Sequence, residues 1–154
     1  MHRSAWRGPC WRSPCAVAMV MPRAFSSGAL SISSKATALL LPVSASTCRQ
    51  AARAERKVVV FAHHPIFPTG NHNEWNADAL LRVVERNRNV VAWINGHNHA
   101  GAFGVHEGVP FITLKGMVET EKTNAFAVLH LHPDRLELVG HGREPSRELA
   151  FRES

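Results

Sequence analysis

Lys57-Val58-Val59-Val60-Phe61-Ala62-His63-His64-Pro65 decides the fold class. Its apolar run is continuous and rich in β-branched residues, with no polar alternation, so it reads as a strand buried on both faces. Pro65 and Pro68 stop that strand and open a loop through Thr69-Gly70-Asn71-His72-Asn73, because proline donates no ladder hydrogen bond and Gly-Asn favours turns. From Asn76 the period becomes helical. Asn76 suits an N-cap and Asp78 the first-turn dipole, while Leu80, Leu81, Val83 and Val84 form one apolar face. Arg82, Glu85, Arg86 and Arg88 take the wet face. Val90-Val91-Ala92-Trp93-Ile94-Asn95 is a second buried strand, so strand, helix and strand form a right-handed crossover between parallel neighbours. Further on, Ala102 to His106 with Val109 to Leu114, and Asn124 to His132 with Leu136 to His141, flank turn residues and read as antiparallel hairpins. The fold class is α/β with an antiparallel portion (α+β).

At 154 residues and 17.0 kDa the chain has room for one compact domain. Its charge is unevenly spread. Residues 1–57 carry seven Arg and two Lys against the single acid Glu55, net +8, whereas residues 58–154 are net −2. A pI near 10.0 would ordinarily point to nucleic acid, but the basic charge lies outside the segment with folding periodicity, and no nucleic-acid partner is expected. Nine of the ten histidines follow Val58, so the chemistry is expected there. Cys10, Cys15 and Cys48 lack C-x-x-C spacing and indicate neither a disulfide framework nor a zinc ribbon.

Residues 1–57 are expected to be a basic, acid-poor segment that is either disordered or an address, ahead of a folded unit at 58–154. Arg-rich, Ser-rich and acid-free composition, with Arg23-Ala24-Phe25-Ser26-Ser27 as a processing site, fits a mitochondrial transit peptide. A secretory reading would use Ala36 to Val43 and a cleavage site at Val43-Ser44-Ala45. A third reading is a stretch read through into a truncated gene, with neither fold nor address. The runs Cys15 to Met21 and Ala36 to Val43 are shorter than the about 20 apolar residues a membrane span needs, so no membrane partner is expected.

Gly96-His97-Asn98-His99 follows the second strand. Histidines two apart on extended backbone point to one side, and Gly96 lets the chain approach a ligand closely. Two such imidazoles can serve one metal ion or each of two neighbours. Both His-bearing loops follow strand C-termini, where open α/β sheets place ligands.

The combination of apolar strand, His63-His64-Pro65, amphipathic helix, strand and Gly96-His97-Asn98-His99 resembles the C-terminal half of the calcineurin-like metallophosphoesterases. Glu74-Trp75-Asn76, residues 113–120 (TLKGMVET), Asn124-Ala125-Phe126-Ala127 and Pro133-Asp134-Arg135-Leu136 extend the resemblance to the manganese-dependent diphosphatases that act on ADP-ribose and CDP-alcohols. It covers roughly Val58 to Arg147. The resemblance implies half of a four-layer αββα sandwich and two divalent metal ions, Mn2+ first, with Mg2+, Zn2+ or Fe as alternatives. His63 and His97 would hold one ion and His99 the second. It also implies a small nucleotide-diphosphate substrate, a cytoplasmic setting, and self-association through a sheet face left without its partner.

The family's D-x-H, G-D-x-x-D and G-N-H-[DE] motifs do not occur before Val58. Gly70-Asn71-His72-Asn73-Glu74 is superficially like the last of them, but it follows the His-x-Pro loop and Asn73 replaces the acid. Three neutral imidazoles without carboxylates suit hard Mn2+ or Mg2+ poorly. The alternatives are therefore a non-catalytic fragment or His-rich binding module and, within enzymes, a cyclic-nucleotide phosphodiesterase or phosphomonoesterase.

Several residues keep two readings. His64 contacts substrate, orients His63, or turns away. Trp75 and Phe67 either stack on a base or anchor the loop, and Asn76 sits with Trp75 as a substrate-binding candidate. Glu119 binds a ribose hydroxyl or takes the wet side of a turn. Trp93 reads as core, and His106, His130, His132 and His141 as hairpin surface.

Overall fold

The computed structural model describes residues 16–20, 39–42 and 45–153. The central element pair is β3 (Val58–Ala62) and β4 (Val90–Asn95), parallel and joined by α2 (Ala77–Arg86). These are the crossover expected from sequence. All six residues of β4 and the first three of β3 are buried, as strands covered on both faces require. Beside β4 lies β6 (Val109–Thr113), also parallel, and outside it β5 (Ala102–His106), antiparallel to β6 through the Glu107-Gly108 turn. On the other side, β1 (Ala16–Val20) pairs antiparallel with both β3 and β2 (Leu39–Pro42), giving the order β2-β1-β3-β4-β6-β5. A second, antiparallel sheet contains β7 (Ala125–Leu131), β8 (Arg135–Gly142) and β9 (Arg147–Ala150).

Two apolar clusters cover the two faces of the first sheet. Val58, Val60, Trp93 and Phe111 pack with Leu80 and Val84 of α2, and with Cys48 and Ala51 of α1 (Ala45–Arg53). Val59, Val91, Ile94 and Ile112 face Leu131, Leu136 and Leu138 of the second sheet. Among the described residues this makes three layers, helices on sheet on sheet, and a mixed α/β fold. Phe126 and Val128 stand exposed on the far side of the second sheet.

Residues 45–57, within the segment expected to be disordered or an address, carry a helix packed on the first sheet. Helix α1 buries Cys48 and Ala51 three residues apart, the spacing that puts both on one helical face. It ends in a Schellman turn in which Glu55 takes φ 53°, Glu55 N–H donates to Ala52 O (2.9 Å) and Arg56 N–H to Ala51 O (2.9 Å). The sheet also crosses the boundary expected at Lys57 and Val58, because β1 pairs with β3. The Arg23-to-Ser27 processing site lies outside the described residues. Asn76 occupies the N-cap position of α2 but makes no side-chain capping bond.

Candidate metal centre

The site grows from the carboxyl ends of β3 and β4. Asn95 fixes the end of β4 internally, its Nδ2 donating to Thr113 Oγ1 at 3.0 Å and to Gly96 O at 3.0 Å. The two His-bearing loops are tied together where Gly96 N–H donates to His63 O (3.2 Å). His97 then takes φ 65°, a left-handed conformation uncommon for a residue with a Cβ. That turn brings His97 Nδ1 to 3.0 Å from His63 Nε2, one imidazole donating to the other.

His64 joins them. Its ring centroid lies 4.6 Å from that of His63 and 4.3 Å from that of His97, and one nitrogen from each of the three rings falls within a 4.8 Å group. A strictly alternating backbone would have turned His64 away, but the strand has ended by Ala62. Its Nδ1 lies 3.1 Å from Glu74 Oε2, though not aligned for a hydrogen bond. Glu74 is itself held by its N–H donating to Pro65 O (2.8 Å). His72, in the stretch read as an unrelated look-alike, sits with its ring 5.6 Å from His97.

His99 stands apart from this trio. Its Nδ1 meets Glu119 Oε1 in a close charge-assisted contact. The loop carrying Glu119 wraps the histidine tightly: Gly116 N–H donates to His99 O (3.0 Å), and a Cβ on Gly116 would fall 2.7 Å from His99 Cγ. The second sheet secures that loop. Arg143 Nη2 donates to Gly116 O (2.5 Å), and Lys115 N–H donates to the Glu144 carboxylate (2.8 Å). The spacing of twenty residues between His99 and Glu119, with the intervening hairpin, left no local signal for the pair.

Electrostatically the site favours the uncharged ring of His97. Desolvation, then the imidazoles of His64, His63, His72 and His99, hold His97 below the ordinary histidine range. A neutral ring presents a lone pair, which is the metal-binding form. The 3.0 Å nitrogen separation is close to the roughly 3.3 Å edge of a tetrahedron built on metal–nitrogen bonds of about 2.0–2.1 Å. Three imidazoles fit one borderline divalent ion. Among the described residues no carboxylate belongs to the trio; Glu74 lies against His64 and Glu119 against His99.

The remaining candidates separate cleanly. Trp75 is 80% exposed and free of packing, whereas Phe67 is a loop anchor, 5.3 Å from Phe111 and 5.3 Å from His106 between ring centroids. Trp93 is core. Glu119, exposed in the bend after Gly116, contacts His99. His106 pairs with Glu85 at 2.8 Å, His132 lies 3.3 Å from Glu137, and His141 stacks on Phe126.

No family model matches the chain. A protein named manganese-dependent ADP-ribose/CDP-alcohol diphosphatase from Bos taurus is 33% identical over 105 residues, covering 65% of this chain and 31% of its own length. Proteins of the same name from Homo sapiens (34% over 103 residues) and Oryza sativa (32% over 108 residues) cover 64% and 66% of this chain, and 30% and 34% of theirs. A crystal structure of a dimetal phosphatase from Danio rerio superposes with a TM-score of 0.66 at 28% identity, over 70% of this chain and 36% of that one. The chain resembles a dimetal phosphatase. The metallophosphoesterase resemblance read from the sequence therefore holds, and the relatives are manganese-dependent hydrolases by name. This chain spans about a third of the length of the curated relatives it matches.

Proposed function

We propose that the chain carries part of a metal-dependent phosphohydrolase site, acting on the diphosphate linkage of ADP-ribose or a CDP-alcohol. The observation that supports this is the convergence of His63, His64 and His97 at the ends of two parallel strands, beside a separate His99–Glu119 pair. His63 and His97 would hold one divalent ion and His99 the other. Bound there, divalent ions would supply Lewis-acid polarisation of a phosphoryl oxygen and charge neutralisation.

The protein's own groups do the positioning. Glu119 accepts from His99 Nδ1, which fixes the tautomer and leaves Nε2 free, as carboxylates behind ligating histidines do. Glu74 Oε2 lies 3.1 Å from His64 Nδ1, without a hydrogen bond between them. The His97 turn holds its ring against His63 before any ligand arrives. Trp75, with its ring uncovered, offers a stacking surface for a nucleobase, and Asn76 Oδ1, buried without a hydrogen-bond partner among the described residues, offers an acceptor beside it.

The test is hydrolysis of ADP-ribose by the full chain with Mn2+, read as AMP release. Turnover that His97→Ala abolishes supports the reading, and preferential cleavage of a phosphomonoester or a cyclic nucleotide overturns its substrate class. A second reading, a non-catalytic metal-binding module, is favoured by the absence of a carboxylate in the trio. Stoichiometric metal uptake without turnover at high protein concentration would select it. The exposed Phe126 and Val128 support self-association between second sheets, which sedimentation velocity over a concentration series tests. Among the described residues no helix is long and apolar enough to cross a membrane.

A further inference from the structure

At the amino ends of the same two parallel strands lies a cleft of about 440 Å3 whose lining includes Arg49, Arg56, Lys57, Arg86, Arg88 and, as its one acid among the described residues, Glu55. Glu55 can balance one of the five positive charges, so the excess is four. The walls are tied together: Asn89 Nδ2 donates to Cys48 O (3.0 Å) and to Arg56 O (3.2 Å), joining α1 and its Schellman turn to the loop before β4.

Cations gather at helix C-termini for a structural reason, since they satisfy the last carbonyls and the negative dipole end. Here that work is done by other groups. Arg152 Nη2 donates to Val84 O (2.8 Å) and Asn87 O (2.7 Å), and Asn87 Nδ2 donates to Val83 O (2.7 Å), closing α2. Backbone N–H groups of Glu55 and Arg56 close α1. Lys57 Nζ donates to Pro133 O (2.6 Å) and lies 4.8 Å from the Phe151 ring centroid, and Arg88 Nη2 donates to Glu153 O (3.3 Å); these partners lie outside the cleft's lining, which leaves Arg49, Arg56 and Arg86 as its guanidinium donors. Burial first, and then the Arg88 charge, push Arg152 below the usual guanidinium range, against the opposing pull of Glu107.

We propose that this cleft binds a compact multivalent phosphate anion, a diphosphate group either free or at the end of a nucleotide. An excess of several cations over one acid is poorly matched by a single carboxylate. Guanidinium forks pair phosphate oxygens bidentately, and four of the five cations are arginines. The volume lies in the range of small-ligand pockets, about 300–1,000 Å3. The cleft stands a strand length from the histidines, about 17 Å for five residues, so it is a second site. It does not depend on the hydrolytic reading.

Titration calorimetry of the full chain with pyrophosphate and with ADP, in EDTA and about 0.15 M salt, tests it. The expected result is saturable one-to-one binding, weakened about tenfold or more in Arg56→Gln/Arg86→Gln, as loss of charge-assisted hydrogen bonds implies, and unchanged in His63→Ala. Equal affinities for the two anions assign recognition to the phosphates alone. Tighter ADP binding assigns it to a nucleotide. Binding that the double substitution leaves intact, that fails to saturate, or that a single-stranded RNA outcompetes overturns the proposal. Both substituted arginines are exposed, and an unchanged melting temperature separates lost binding from lost fold.

Discussion

The two ends of the β3–β4 pair are opposites. At the carboxyl ends, His63, His64 and His97 converge with His72 beside them, His99 stands apart on Glu119, and the surroundings favour the neutral form of His97. At the amino ends, five permanent cations line a cleft with one acid. The strands between them are the same buried valines and Trp93, so the difference lies in what each end's loops are required to do. At the amino end Arg152 and Asn87 close α2 and Arg88 anchors the tail through backbone carbonyls, while Arg49, Arg56 and Arg86 line the cleft. The carboxyl-end loops are tied by a few backbone bonds and leave their side chains pointing at one another.

The most disruptive way to break this contrast is to remove what both ends share. Trp93→Ala should cost about 3–5 kcal/mol in urea unfolding, the usual range for a buried aromatic truncated to Ala, and should disorder both ends together. Trp93→Phe should cost much less, because the buried indole N–H has no partner among the described residues to lose. Equal losses would mean that the indole is held by something other than packing.

The two ends can also be probed separately. Gly116→Ala should destabilise by about 1–3 kcal/mol through overpacking against His99 and Glu119, and should weaken metal uptake without changing anion binding in the basic cleft. Calorimetry with Zn2+ and with pyrophosphate on the same protein checks both halves. At the amino end, burial pushes the Cys48 thiol up to about 11 from 9.0, so its thiolate fraction falls about 100-fold. Iodoacetamide at mildly alkaline pH should label Cys48 at least that much more slowly in the native chain than in urea, read by peptide mass spectrometry. Fast native labelling would mean that α1 opens readily.

Acid should act on the carboxyl end. The folded chain holds His97 below the ordinary 6.5, so between those two values the unfolded chain binds more protons, and stability falls as pH drops through that window. The metal-free urea midpoint should therefore decline from pH 7.5 to 5.5, and less steeply in His97→Gln. The smallest expected effect is Trp75→Ala, within about 0.5 kcal/mol of the parent in stability because the ring is 80% exposed. A larger loss would show that the ring packs in solution.

The carboxyl end was the legible one. A continuous β-branched run, the Pro65 stop and the Gly96 bend are local signals, and they placed β3, β4 and His63, His97 and His99 without a structure. What stayed hidden depends on partners far along the chain. Glu119 is twenty residues from His99, and Arg152 closes a helix that ended at Arg86. Helix α1 was masked by composition, because its Arg, Ser and Ala content is shared with targeting segments and only Cys48 and Ala51 mark its buried face. Strand β9 reads as Arg-Glu-Leu-Ala, a sheet edge whose burial alternates but whose polarity does not. The runs that carry β1 and β2 gave apolar stretches in the sequence, but nothing in them named β3 as their neighbour.

The grip of the β8–β9 turn on residues 115 and 116 reaches beyond packing. The amide proton of Lys115 is closed off by a carboxylate from the other sheet, so it can trade with solvent deuterium only when that turn lets go. Its exchange rate is then a clock for the moments when the His99 loop is released, and one amide cross-peak reports on how often the two sheets part company.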